Sequence, residues 1–452
     1  MSPTRNKFLN LVNRHPAEVI AASFLLTALL GSLLLITPAA AGKGPVGWVD
    51  AFFTATSAVC VTGLITVDTG TQFSPFGQAV ILGLIQAGGL GIMTYAVILA
   101  TLSGRKISLS GRTIMEQSFM PQPQAVIYGL TRIIVLSTLL IEGVGAVLLY
   151  LFHPGGGIFA AVFHSISAFC NAGFSLYADN LTRFRGHLGV NLTITSLIIL
   201  GGLGFFVIFE VLHHTGSRKR YKLSLHTKLV LAVTAGLLLV GTVIFFVFEY
   251  DNLLRDLPLG EQVLASYFQS VTPRTAGFNT VDYGKATGAT LLFTILLMFV
   301  GASPGSTGGG VKTTSLGVML ALAKSKLKGR EDVDIFRATI SSRAVARTLS
   351  VTILASFIII MSLLAFLWVE IGPRPFTQHN VRVLEYLFEI TSAFGTVGLS
   401  TGITASLSAF GKLLLCAVMF IGRIGPLTIA HAVGRRYGQG KYRYPEERVM
   451  IG

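Results

Sequence analysis

"SAFGTVGLST", residues 392–401, lies near the end of a 452-residue chain of which 52% is hydrophobic. Its Thr396-Val397-Gly398 is a tripeptide whose backbone carbonyls can line a potassium-sized hole when four copies surround an axis. One copy cannot make a ring, so three more are expected in the same chain. Anchoring on the glycine finds them without gaps: "SAVCVTGL" at 57–64, "SAFCNAGF" at 167–174 and "VTPRTAGF" at 271–278 stand beside "SAFGTVGL" at 392–399. A second glycine cluster follows each at a nearly constant distance. Gly63 precedes "GGLG" at 88 by 25 residues and Gly173 precedes "GGLG" at 201 by 28. Gly277 and Gly398 precede "GASPG" at 301 and "GRIG" at 422 by 24 each.

A short amphipathic run leads into every copy: "GWVDAFFTATSAVC", "GIFAAVFHSISAFC", "EQVLASYFQSVTPR" and "VRVLEYLFEITSAF". A helix of that length rises only ~18 Å, so it can enter a bilayer but not cross it. Apolar stretches at 19–41, 78–103, 126–152, 188–212, 228–250, 288–322, 346–370 and 409–434 flank these runs. Each is long enough for a hydrocarbon core of ~30 Å. The expected fold class is an all-α integral membrane bundle with eight transmembrane helices. Its unit of span, pore half-helix and span recurs four times around a pseudo-four-fold axis, with repeats over 1–112, 113–222, 223–335 and 336–452, the last ending in a short cytoplasmic tail. The stretch to Ala41 is long enough to cross, so the first helix reads as retained and not as a cleaved signal.

The chemistry explains the residue types. A half-helix ending at mid-membrane points its negative dipole end inward, which favours a cation there. The chain returns as extended backbone, tolerable at that depth only where it lines a wet cavity, and its carbonyls can replace an ion's water. Glycine reaches the backbone angles such a strand needs. The candidate filter is therefore Val61, Thr62 and Gly63; Asn171, Ala172 and Gly173; Thr275, Ala276 and Gly277; and Thr396, Val397 and Gly398. Only the fourth copy is a true TVG, and Asn171 replaces a threonine in the second, so selectivity weaker than a channel's is expected.

The net charge of +15 comes from 35 Lys and Arg against 20 Asp and Glu. The basic residues cluster between apolar runs, and 23 of the 35 fall at the N-terminus or after the second span of a pair. That is the positive-inside pattern, not a nucleic-acid footprint, and it puts both termini in the cytoplasm with the half-helices dipping in from outside. The stretch "KSKLKGREDVDIFRATISSRAVAR" reads as an amphipathic connector at the lipid surface. Three cysteines are too few for a disulfide framework.

The stretches "DAFFTATSAVCVTGL", "GLIQAGGLGIMT", "FHSISAFCNAGFSL", "SYFQSVTPRTAGFN", "TSAFGTVGLSTG" and "MFIGRIGPLT" resemble the Trk/Ktr/HKT superfamily of potassium transporters, and they cover all four repeats. The resemblance implies uptake of potassium ion across the bacterial inner (cytoplasmic) membrane, with sodium ion as an activator. It also implies a homodimer on a cytoplasmic KtrA-type nucleotide-binding ring. A transporter for sodium or another monovalent cation on the same fold is the alternative. A carrier alternating between inverted repeats fits poorly, because these repeats run parallel. No catalytic constellation appears, so an enzyme is not expected.

"GASPGSTGGGVKTTS", residues 301–315, should break a helix with its glycines and proline. In the similar family a mobile intramembrane loop lies here and gates the pore, which makes Gly305, Ser306, Thr307, Gly308, Gly309 and Gly310 gate candidates. Arg423, inside the last apolar stretch, marks an ion pathway, and its guanidinium can bond carbonyls freed in that loop. The same segment mimics a phosphate loop but carries Lys312 one place too late, and Lys312 is expected to snorkel toward the cytoplasm. Glu142 is either a hydrogen-bonded packing contact or a proton or sodium site. Arg274 is expected to brace its half-helix, and His213 and His214 to open a basic loop.

Overall fold

The computed structural model describes residues 16–103, 124–216, 222–372 and 383–425. The basic stretches Arg105–Arg112, Arg218–Arg220 and Arg435–Arg448, and with them both termini, lie outside the described residues.

A long, a short and a second long or broken helix follow one another four times. The first set is α1 (Pro16–Ile36), α2 (Trp48–Val59) and α3 (Pro75–Ser103). The second is α4 (Gln124–Phe152), α5 (Gly157–Phe169) and α6 (Leu188–Leu203), the last continued by α7 (Phe205–Gly216). The third is α8 (Leu225–Glu249), α9 (Leu259–Val271) and α10 (Gly288–Phe299), continued after a loop by α11 (Thr313–Leu327). The fourth is α12 (Ser342–Phe366), α13 (Val383–Gly395) and α14 (Ala409–Ile424). A small antiparallel hairpin, β1 (Val333–Ile335) with β2 (Ala338–Ile340), joins the third set to the fourth.

Each short helix packs on the long helix before it and also on the second helix of the preceding set. Thus α5 meets α3, α9 meets α6, α13 meets α10, and α2 closes the circle on α14. Phe53, Phe163, Phe268 and Phe388, all fully buried, lie on the short helices, so the core surrounds these helices. The outward faces of the long helices are apolar instead, with Leu33, Leu140, Leu239 and Ile353 each more than half exposed. That inversion suits a lipid solvent, in which apolar side chains gain nothing by turning inward.

Among the described residues three helices are each long and apolar enough to cross a membrane: Ile134–Phe152, Leu225–Glu249 and Ser342–Ile371. Leu188–Leu203 with Phe205–Leu212 makes a fourth if a pair bent by 100° counts as one span. The bend falls at Gly204, φ +93°, which ends α6 where an ordinary residue would be strained. Apolar helices Ala21–Ile36, Pro75–Leu90 and Gly288–Phe299 are shorter.

Polar ties fix where each second helix begins. Thr287, the N-cap of α10, and Ser408, the N-cap of α14, accept from Thr290 N at 3.3 Å and Gly411 N at 3.1 Å. Both caps are held in turn by a carboxylate at the end of the first helix of the same set or, in the fourth set, four residues beyond it. Glu249 accepts from Thr287 N at 2.8 Å, and Glu370 accepts from Ser408 Oγ at 2.5 Å.

Candidate functional site

The four glycines meet in a closed ring. A Cβ placed on Gly63 would overlap the carbonyl oxygen of Ala172, and one on Gly173 would lie 2.8 Å from that of Ala276. One on Gly277 would overlap the Val397 carbonyl, and one on Gly398 the Thr62 carbonyl, returning to the start. Their φ values are +95°, +70°, +76° and +92°, so only glycine fits both the space and the backbone. Two residues earlier, Val61, Asn171, Thr275 and Thr396 also take positive φ, at 55°, 59°, 71° and 50°. In a chain whose alternate residues are left-handed, successive peptide groups turn the same way, so carbonyls can line one side of the strand. A β-branched residue in this region costs about 1–3 kcal/mol and persists only where surrounding structure enforces it. Three of the four are β-branched, and all four are fully buried.

Hydroxyls at the ends of the short helices supply part of that enforcement. Ser57 Oγ accepts from Gly63 N and Ser392 Oγ from Gly398 N, each at 3.0 Å. In the second copy Ser167 Oγ donates to the Phe174 carbonyl at 2.8 Å, and in the third Thr272 donates to the Phe278 carbonyl. One turn back on the short helices, longer side chains hold the strand beyond the ring. Glu389 accepts from Ser400 Oγ and Thr404 Oγ1 at 2.7 Å each and from Thr401 N at 2.9 Å. His164 Nε2 meets Ser175 Oγ at 3.0 Å, and Gln269 donates to Thr280 Oγ1 at 3.0 Å. Sequence reasoning missed these polar residues, because a serine or glutamate in a helix has many ordinary uses.

The second glycine cluster has a packing reason. A Cβ on Gly88, Gly201 or Gly422 would overlap the carbonyl of Val59, Phe169 or Phe394, each near the end of the short helix in its own set. In the third set Gly301 instead faces Gly309, because the chain there leaves the helix and doubles back. Gly301 N donates to the Val311 carbonyl at 2.8 Å across the neck of the resulting loop.

This loop lies directly against the ring. A Cβ on Gly308 would overlap Thr275 Oγ1, and Gly309 N donates to Thr396 Oγ1 at 3.1 Å. Thr307 donates from Oγ1 toward the carbonyls of Gly201 and Phe169, at 3.2 and 3.3 Å, and its N–H donates to Gly201 O at 3.2 Å. Gly305 O accepts from Phe205 N at 3.1 Å, and Ser306 Oγ bonds back to Ser303 O at 2.6 Å. Gly310 takes φ +67° to turn the chain out again. Arg423, 5% exposed, donates to the Thr307 carbonyl and, at 2.5 Å, to that of Gly88. The loop is therefore tied directly to the second and fourth sets and, through Arg423, to the first.

Two expectations need correcting. Lys312 does not extend away from the loop as snorkelling would have it: its Nζ folds back onto the Gly308 and Gly309 carbonyls at 2.8 and 3.4 Å. Those carbonyls have lost their helical partners, and an ammonium satisfies them better than a retreat to water would leave them. Arg274 does not brace its half-helix through its guanidinium. That group is buried beside Gly202 of α6, and its Nε and Nη1 lack partners among the described residues. Asn171, with its amide turned to satisfy both ends, reaches Ala168 O, Ile198 O and Thr307 Oγ1 at 3.1–3.3 Å, so its side chain braces the strand. The side chain of His213 lies outside the described residues, and His214 is exposed at the end of α7.

Comparison with known proteins agrees with this architecture. The chain is 41% identical over 460 residues to the Ktr system potassium uptake protein B of Bacillus subtilis, covering 100% of both chains. It is 36% identical over 447 residues to the potassium/sodium uptake protein NtpJ of Enterococcus hirae, covering 97% of each. The crystal structure of the potassium transporter TrkH from Vibrio parahaemolyticus is similar in fold, with a TM-score of 0.73 at 18% identity over 92% of this chain and 84% of that one. The family model described as TrkH, cation transport protein, matches residues 5–442, and the chain is a member of that family.

Proposed function

We propose that this chain takes up potassium across the bacterial cytoplasmic membrane through one axial pore whose filter is the ring at Gly63, Gly173, Gly277 and Gly398. The observation that carries the reading is the closed circuit of glycine against carbonyl through four successive segments, each led by a half-helix. Potassium uptake proteins similar over 94% or more of their length support the choice of ion. The eight-span, four-repeat architecture fits the four-fold order of helices. The short apolar α10 and α11 then count as one interrupted span.

Potassium sheds water at the ring, held by carbonyls of the residues from Val61, Asn171, Thr275 and Thr396 to the glycines. Below it the loop Gly305–Gly310 and Arg423 form the barrier: the loop contacts Thr275 and Thr396, and two cations secure it. A fixed guanidinium close to the path also raises the electrostatic cost for any passing cation. The membrane potential supplies ~2.3 kcal/mol per charge per 100 mV, so inward flow needs no chemical step. Sodium dependence, a homodimer and a cytoplasmic nucleotide-binding ring complete the proposal, on the strength of the family membership. Sodium as transported ion is the second reading, favoured by the name of the relative from Enterococcus.

The test is labelled rubidium and sodium uptake by potassium-starved cells expressing the chain with and without a KtrA-type partner. Rescue of growth at low potassium, with rubidium but not sodium entering, supports the proposal. Sodium entry without rubidium overturns it.

A further inference from the structure

Glu142 sits in α4, 4% exposed, where α3, α4 and the end of α5 meet. Its Oε2 accepts from Gln86 Nε2 at 3.3 Å, and the Cys170 thiol lies 3.7 Å both from Glu142 Oε1 and from Gln86 Oε1. Its backbone carbonyl accepts from Ser165 Oγ at 2.6 Å. No Lys, Arg or His lies within ion-pair distance among the described residues; the titratable group facing it is the Cys170 thiol, on which the charge of Arg423 also acts. One turn earlier on the same face of α4, Thr138 is fully buried and its hydroxyl has no hydrogen-bond partner among the described residues.

A carboxylate has about four lone-pair sites. One long amide bond and a thiol leave most of them empty, in surroundings where an uncompensated charge costs several kcal/mol. Such a group keeps its place only if a neutralising cation occupies it. We infer that Glu142, with the side-chain oxygens of Gln86 and Thr138, forms a site for a small monovalent cation, sodium or a proton, outside the axial path. Cys170 immediately precedes Asn171, so the site bears on the second strand of the ring: its occupancy pulls on or releases the Cys170 end of that strand. This consequence for flux rests on the proposed function, whereas the binding itself does not.

The test reads binding apart from transport, as the thermal unfolding midpoint of the purified full chain in detergent. A ligand that binds only the folded state raises that midpoint in proportion to its saturation. One arm replaces choline chloride by sodium chloride at pH 8; a second lowers the pH from 8 to 5.5 in choline chloride; a third uses potassium chloride to read the ring. The wild-type midpoint is expected to rise in the first arm if the occupant is sodium and in the second if it is a proton. Glu142→Gln should lose that rise and keep the potassium response. Glu142→Asp keeps the rise with a half-saturating concentration shifted several-fold, and covers the case in which the glutamine variant fails to fold. Thr138→Val weakens a sodium response about five-fold, since one oxygen ligand is lost. No rise in either arm for the wild type, or a rise that persists in Glu142→Gln, overturns the inference. A Glu142-dependent rise in a chain that carries no rubidium leaves the inference standing and removes the proposed function.

Discussion

The guanidinium of Arg423 donates to the carbonyl of Thr307, joining the last helix to the loop that interrupts the second helix of the third set. Its other terminal nitrogen holds the Gly88 carbonyl at 2.5 Å, so one side chain bridges the first and third sets. A charged hydrogen bond of this kind contributes about 1.5–3 kcal/mol.

Arg423→Ala removes both bonds and one positive charge. Rubidium influx into proteoliposomes should rise about ten-fold or more, since each ~1.4 kcal/mol is a factor of ten. Discrimination against sodium should fall in the same measurement. Unchanged influx and unchanged ion preference would show that the arginine is no part of the barrier.

Thr307→Val keeps the shape of the side chain and deletes the hydroxyl that reaches Gly201 and Phe169. With about 1 kcal/mol of hydrogen bonding lost from the seated loop, flux should increase roughly five-fold while the unfolding midpoint barely moves.

Alanine at the four ring glycines should not be equivalent. The Cβ at Gly173 would have the most room, 2.8 Å from the Ala276 carbonyl, whereas at Gly398 it would overlap the Thr62 carbonyl at φ +92°. Gly173→Ala should lose part of the rubidium-over-sodium preference, since its Cβ would still press on backbone atoms 2.8–2.9 Å away at φ +70°. Gly398→Ala should lose it about ten-fold, given a strain of roughly 1–3 kcal/mol. Equal losses at both positions would argue against the ring geometry.

Glu389→Ala withdraws the acceptor shared by Ser400, Thr401 and Thr404 and strands the buried Thr404 donor at a cost of about 1–3 kcal/mol, with smaller losses at the half-buried Ser400 and Thr401. The expected outcome is a lower unfolding midpoint together with a several-fold higher half-saturating rubidium concentration. Glu389→Gln should recover most of both.

That the glycines at 63, 173, 277 and 398 share one environment was legible in the sequence, because nothing else satisfies a left-handed backbone pressed against a neighbour's carbonyl. The loop at 301–310 was legible for a similar reason: no helix continues through that many glycines and a proline. The left-handed turns at Val61, Thr275 and Thr396 were not, since valine and threonine announce extended strand and only tertiary enforcement holds them elsewhere. The 100° bend at Gly204 was hidden because the apolar run continues unbroken through it. Lys312 misled because its stem is long enough to run either way, and the choice depended on carbonyls that only the folded loop leaves free.

The ring is closed by four unlike stretches of a single polypeptide, and this has a bearing on how such a site can change over generations. In an assembly of four identical chains any substitution at the aperture arrives in quadruplicate, and most such changes are ruinous. Here a mutation touches one quadrant, so the ring can be retuned in quarter steps, and Asn171 already stands apart from its three β-branched counterparts.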